Sequence, residues 1–98
     1  MQYSEPHFVY VLVSLRDGNC YVGRTNNLLR RYGQHAGGMV ASTRRRRPLL
    51  MVHWELLPNK KAAIRREQWL KSPAASAFKA RLRAQGSAAG DVAQLGEH

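Results

Sequence analysis

The chain has 98 residues, room for one small domain, and 44% of them are hydrophobic, enough for a modest core. Sixteen Lys and Arg against six Asp and Glu leave a formal charge of +10, which points to an anionic partner. The single cysteine, Cys20, excludes an intramolecular disulfide framework or a cysteine-rich zinc site, and no apolar run approaches the roughly 20 residues that span a bilayer. Residues 1–6 lack the basic start and apolar run of a secretion signal, so a soluble cytoplasmic protein without a membrane partner is expected.

Residues 7–15 (HFVYVLVSL) are β-branched or aromatic and apolar on both alternating faces, the pattern of a central strand. The Asp17-Gly18 step predicts a two-residue hairpin turn into a second strand over residues 20–24. That turn sets Tyr21 opposite Ser14, Gly23 opposite Leu12 and Thr25 opposite Tyr10, with Tyr10, Tyr21 and Gly23 on one side of the sheet. Thr25-Asn26-Asn27 offers cap chemistry for a helix over residues 28–35, which Gly37-Gly38 ends and Gly33 weakens. A long, basic, exposed loop is expected over residues 38–48 (GMVASTRRRRP), then a third strand over residues 49–57. Pro58-Asn59 closes that strand and caps a helix over residues 60–71; Ser72-Pro73 breaks it, and residues 74–85 form a third helix. The domain is expected to span residues 1–86, with the Gly/Ala-rich residues 87–98 a disordered tail. The order ββαβαα predicts an α+β layered fold, a small three-stranded sheet with an antiparallel hairpin and about three flanking helices.

The cations are unevenly placed. Between Arg24 and Lys71 stand twelve basic residues and only two acids, Glu55 and Glu67. Arg dominates, and its planar fork suits bidentate phosphate contact, so nucleic acid is the expected partner. Arg24, Arg30, Arg44, Arg45, Arg46, Arg47, Lys60 and Lys61 are the expected phosphate contacts, gripping the backbone with little base readout.

Glu67 falls on the side of its helix shared with Ala63 and Leu70. A carboxylate there needs an ion-pair partner or a bound cation to offset its desolvation. Tyr10 and Tyr21 share a sheet face with a glycine that leaves room for something to approach, and Arg31 and His35 are one helical turn apart. His53 and Glu55 also share a strand face, where a plain polar pair explains them better than a metal site.

In order, Phe8-Val9-Tyr10, Tyr21-Val22-Gly23 and Thr25-Asn26-Asn27-Leu28 with Arg31 and His35 resemble the GIY-YIG nuclease superfamily. The later segments TRRRRP (43–48) and AIRRE (63–67) fit its small stand-alone bacterial members, so the resemblance covers residues 8–71. It implies structure-selective hydrolysis of DNA phosphodiester bonds with one divalent metal, Mg²⁺ or Mn²⁺, on branched, single-stranded or damaged DNA, with RNA also open. By position it implies Glu67 as the metal ligand and Tyr10 and Tyr21 as the groups that position or deprotonate the attacking water. Arg31 would stabilise the phosphate, and His35 would stand near it. Phe8 occupies the place of the family's first glycine, and Arg24 that of a lysine. Residues 71–83 contain no Asn where several members carry a functional one, which keeps a non-catalytic nucleic-acid-binding module as the alternative.

Overall fold

A computed structural model describes the backbone of residues 6–95 and the side chains of residues 6–86. Strands β1 (His7–Ser14), β2 (Cys20–Thr25) and β3 (Leu49–Leu57) form one antiparallel sheet in the order β2-β1-β3. Helices α1 (Leu28–Ala36), α2 (Lys60–Lys71) and α3 (Ser76–Leu95) flank it, with single 3-10 turns at Arg44–Arg46 and Pro73–Ala75. The α+β layered fold is the one expected. Because β1 is central, both of its faces are covered, and every residue from Val9 to Ser14 is buried. Val9 and Val11 pack with Val22 against Ala63 and Leu70 of α2 and Leu82 of α3. Tyr10 and Leu12 face the other way, packing with Leu49, Tyr21, Leu28 and Tyr32.

The hairpin register differs from the expected one by two residues. Tyr10 faces Gly23, Leu12 faces Tyr21 and Phe8 faces Thr25. The Ser14 N–H donates to the Asn19 carbonyl at 3.0 Å, leaving residues 15–18 as a four-residue loop. Ser14 is the cause: its Oγ accepts the N–H groups of Arg16 and Asp17 at 3.1 and 3.0 Å, an alternative to ladder pairing. Gly18 then takes the left-handed conformation at φ +76° and donates to the Ser14 carbonyl at 2.8 Å. A shift of two residues preserves facing, so Tyr10, Tyr21 and Gly23 still share one side.

The basic segment is not the free loop expected over residues 38–48. Thr43 is fully buried, and the Arg46 carbonyl accepts the Ser14 hydroxyl at 2.6 Å. The Arg46 guanidinium donates to the Asp17 carboxylate at 2.8 Å and to the Asn19 carbonyl at 3.1 Å. Arg46 therefore staples the β1–β2 loop and holds the Asp17 carboxyl down to about 2. Asn27 and Asn59 cap α1 and α2 as expected, accepting from the N–H of Arg30 and Ala62. The backbone of α3 runs to Leu95, beyond the helix end expected at Gln85. The side chains of the tail expected over residues 87–98 lie outside those described, and residues 96–98 lie outside the described residues altogether. Among the described residues no helix is long and apolar enough to cross a membrane.

Two glycines should respond to alanine with opposite signs. A Cβ on Gly23 would collide with the Tyr10 hydroxyl and come within 2.5 Å of its Cζ, whereas one on Gly33 meets nothing within 4 Å. Gly23→Ala should lower stability by about 1–3 kcal/mol through overpacking. Gly33→Ala should raise it by about 0.5–1 kcal/mol through helix propensity. Urea unfolding of both variants checks the pair, and equal effects would contradict the close approach of Tyr10 to Gly23.

Candidate active site

The face of the sheet beneath α1 gathers most of the expected site residues. Tyr10 points from β1 into this layer with 1% of its surface exposed, and its hydroxyl lies 2.8 Å from His35 Nε2. His35, on the last turn of α1, is fully buried, and its Nδ1 lies 2.8 Å from Thr43 Oγ1. The Tyr21 ring, half-buried on β2, completes an aromatic triangle, with its centroid 5.0 Å from His35 and 6.4 Å from Tyr10. A neutral imidazole accepts at one ring nitrogen and donates at the other, so the chain Tyr10–His35–Thr43 has a direction. Burial, and secondarily the Arg31 charge, pull the His35 imidazole down to about 4 and keep it neutral near pH 7.

Arg31 lies one turn before His35 on the same face of α1, and its Nη1 donates to Gln34 Oε1 at 3.0 Å. Burial pushes the Tyr10 phenol above its ordinary 10.0, opposed by hydrogen bonding from Arg31 and reinforced by the charges of Tyr21 and Glu67. Tyr21, Arg31 and Glu67 thus all stand within electrostatic reach of the Tyr10 hydroxyl. Glu67 stands on α2, the helix packed on the Val9 and Val11 face, with 18% of its side chain exposed. Its Oε1 is 3.2 Å from Arg24 Nε, and its Oε2 is 3.3 Å from Lys71 Nζ. The inward carboxylate is therefore paired, across to β2 and along its own helix. Among the described residues no three His, Cys, Asp or Glu cluster as metal ligands. A lone carboxylate still suits Mg²⁺, which retains most of its waters and needs only one or two protein oxygens.

Tyr10, Tyr21, Arg31 and His35 are thus gathered on the α1 side of the sheet, though not in equivalent positions, while Glu67 stands on α2 beside Arg24, which pairs with Val9. Tyr10 and His35 are closed off from solvent, whereas Tyr21 reaches the outer side of the cluster. His53 and Glu55 do not join them: Glu55 faces Val9, on the opposite side of the sheet from Tyr10. There Glu55 takes His53 at 2.7 Å and Arg66 at 2.9 Å. Burial works to raise the Glu55 carboxyl, but these hydrogen bonds outweigh it and hold it below its ordinary value.

Of the expected phosphate contacts, Arg30, Arg44, Arg45, Arg47, Lys60 and Lys61 are exposed, while Arg24 turns to Glu67 and Arg46 to Asp17. Lys60 and Lys61 occupy the first turn of α2, which has no acid, so both oppose the helix dipole at about 0.3–1 kcal/mol each. Thr43 and Gln34 were not foreseen as site residues. Gln34 was open to detection from its i, i+3 spacing to Arg31; Thr43 lies in an aperiodic segment and carried no local signal.

The model of the family described as the GIY-YIG catalytic domain matches residues 6–80. The chain belongs to the GIY-YIG family, and its domain is of the nuclease type. It is similar to the UPF0213 protein of Natronomonas pharaonis, 45% identical over 67 residues that make up 67% of this chain and 78% of that one. The UPF0213 protein of Staphylococcus haemolyticus is 37% identical over 67% of this chain and 80% of its own. That of Clostridium perfringens is 39% identical over 66% and 70%.

The buried histidine sets a pH dependence. Between the ordinary 6.5 and about 4, the unfolded chain binds a proton at position 35 that the folded chain refuses. Stability is therefore full above pH 6.5 and falls as pH drops toward about 4, with a slope approaching about 1.4 kcal/mol per pH unit. Urea unfolding from about pH 7 to about 4.5 should show this slope in the wild type and a flatter one in His35→Gln. Equal slopes would mean that His35 titrates normally.

Proposed function

We propose that the protein is a divalent-metal-dependent endonuclease that hydrolyses DNA phosphodiester bonds, choosing its substrate by structure with little sequence readout. The observation that carries this reading is the clustering of two phenols, a histidine and a guanidinium on one face of the sheet, with the Glu67 carboxylate near enough for its charge to act on the Tyr10 phenol. Tyr21, the phenol on the outer side of the cluster, orients the attacking water. Tyr10 is the inner phenol, fixed by His35 and Thr43 so that its oxygen cannot rotate away. His35 is neutral and buried, so it acts through Tyr10 as a positioning residue. Arg31, held by Gln34, stabilises the charge that develops on the phosphate. Glu67 would hold Mg²⁺ or Mn²⁺, which when bound neutralises phosphate charge and acidifies a coordinated water. The exposed Arg30, Arg44, Arg45, Arg47, Lys60 and Lys61 supply the grip on flanking phosphates, and the cytoplasm is the compartment proposed.

A non-catalytic nucleic-acid-binding module is the second reading. Two observations favour it: residues 71–83 hold no Asn, and Arg24 and Lys71 already satisfy Glu67. The two readings separate in a cleavage screen of branched, single-stranded and duplex DNA with Mg²⁺ or Mn²⁺. Glu67→Ala and Arg31→Ala should each cut the cleavage rate by about a hundredfold or more. Glu67→Ala should leave DNA affinity unchanged or raised, because it removes a negative charge from a basic surface. Binding without cleavage under every metal tried would establish the second reading.

A further inference from the structure

The sheet face that carries Tyr10 is only partly roofed. With nine residues, α1 is about 13 Å long, and its face packs over the Leu12, Leu49 and Met51 end. Toward the start of β1 the same face continues as Phe8, Trp54 and Leu56, with Trp54 54% and Leu56 60% exposed. The register makes Trp54 the direct cross-strand partner of Tyr10, so the indole is its immediate neighbour on the same face. Phe8 meets Trp54 in a T-shaped contact, with centroids 6.0 Å apart and planes at 66°. The other tryptophan differs: Trp69 has the Arg66 guanidinium 4.5 Å from its ring centroid and Phe78 beside it.

A half-exposed indole beside an exposed leucine and a half-buried phenylalanine is a poor arrangement for stability in water. What covers it must suit the charge around it. Arg31 stands beside Tyr10, Arg30 lies exposed on α1, and the whole chain carries +10. The fitting occupant is therefore anionic and also presents a flat apolar face. An unpaired nucleobase on a phosphate backbone has both properties, whereas a duplex keeps its base faces inside the stack.

We propose that Trp54 is a stacking platform for an unpaired nucleobase adjacent to the phosphate at Tyr21 and Arg31. The substrate is then nucleic acid that is single-stranded at that position, whether a free strand, a flap or a gap. The inference rests on the endonuclease reading for the fate of the phosphate, but not for the binding itself.

The test uses the whole protein in EDTA, so that binding is read without cleavage. In a Trp69→Phe background Trp54 is the sole tryptophan, and a short oligothymidylate should quench its fluorescence. Trp54→Ala and Trp54→Leu should weaken oligothymidylate binding by about ten- to a hundredfold, with duplex affinity changed by less than about twofold. Trp54→Phe should retain most of the single-strand affinity. Full affinity in Trp54→Leu would overturn the proposal, since leucine keeps the apolar cover and removes the stacking. So would equal losses on single strand and duplex, or a Trp54→Ala variant that only converts a dimer to monomers in sedimentation. Quenching by the oligonucleotide in a protein that never cleaves supports the stacking role and defeats the endonuclease reading. Cleavage of single strands with unchanged KM in Trp54→Ala defeats the stacking role alone.

Discussion

The hydrogen-bond chain from Tyr10 through His35 to Thr43 is the constraint around which one side of this fold is arranged. It joins the central strand, the first helix and the basic segment through one line of buried polar atoms. All three residues are buried, so each polar atom must find its partner inside, and an orphaned one would cost about 1–3 kcal/mol. Among the described residues no buried side-chain nitrogen or oxygen lacks a partner. Satisfaction of this chain sets where the phenol of Tyr10 lies, and the phenol occupies the space that only glycine at position 23 leaves open.

The cationic excess divides into two populations with different work. Arg46 on Asp17, Arg66 on Glu55 and Arg24 on Glu67 tie loops and helices to the sheet. Arg30, Arg44, Arg45, Arg47, Lys60 and Lys61 remain exposed, two of them against a helix dipole that disfavours them. Stability explains the first set and not the second. A small domain that holds cations where they are electrostatically unfavourable has them for something outside itself.

Much of this was legible in the order of residues. Strand β3 and helix α2 have the bounds expected of them, because Pro58-Asn59 both stops the strand and caps the helix, a local signal with a local cause. The shared facing of Tyr10, Tyr21 and Gly23 was legible as well, and survived a wrong register because the shift was even. The register itself was not legible. The Asp17-Gly18 rule describes the turn backbone alone, whereas Ser14, three residues earlier, captured two N–H groups with its hydroxyl. The depth of Tyr10 and His35 was hidden for a different reason. It depends on Thr43, whose approach is a long-range consequence of Arg46 docking on the β1–β2 loop, and no window of sequence contains both ends of that contact.

The state of Glu67 bears on how a basic surface can carry a metal ligand at all. Helical phase turns the carboxylate inward, and the fold meets its charge with Arg24 and Lys71 instead of excluding it. Both cations stay partly solvated, with 34% and 57% of their side chains exposed, so each contact contributes only about 0–1 kcal/mol. Such partners are cheap to displace. A cation with two charges and a partial shell of water competes with them on favourable terms, especially when a phosphate supplies the neighbouring oxygen. Two single-point ion pairs are therefore compatible with a metal-binding role for Glu67, where a pair held through both carboxylate oxygens, of the Arg66–Glu55 kind, would oppose it.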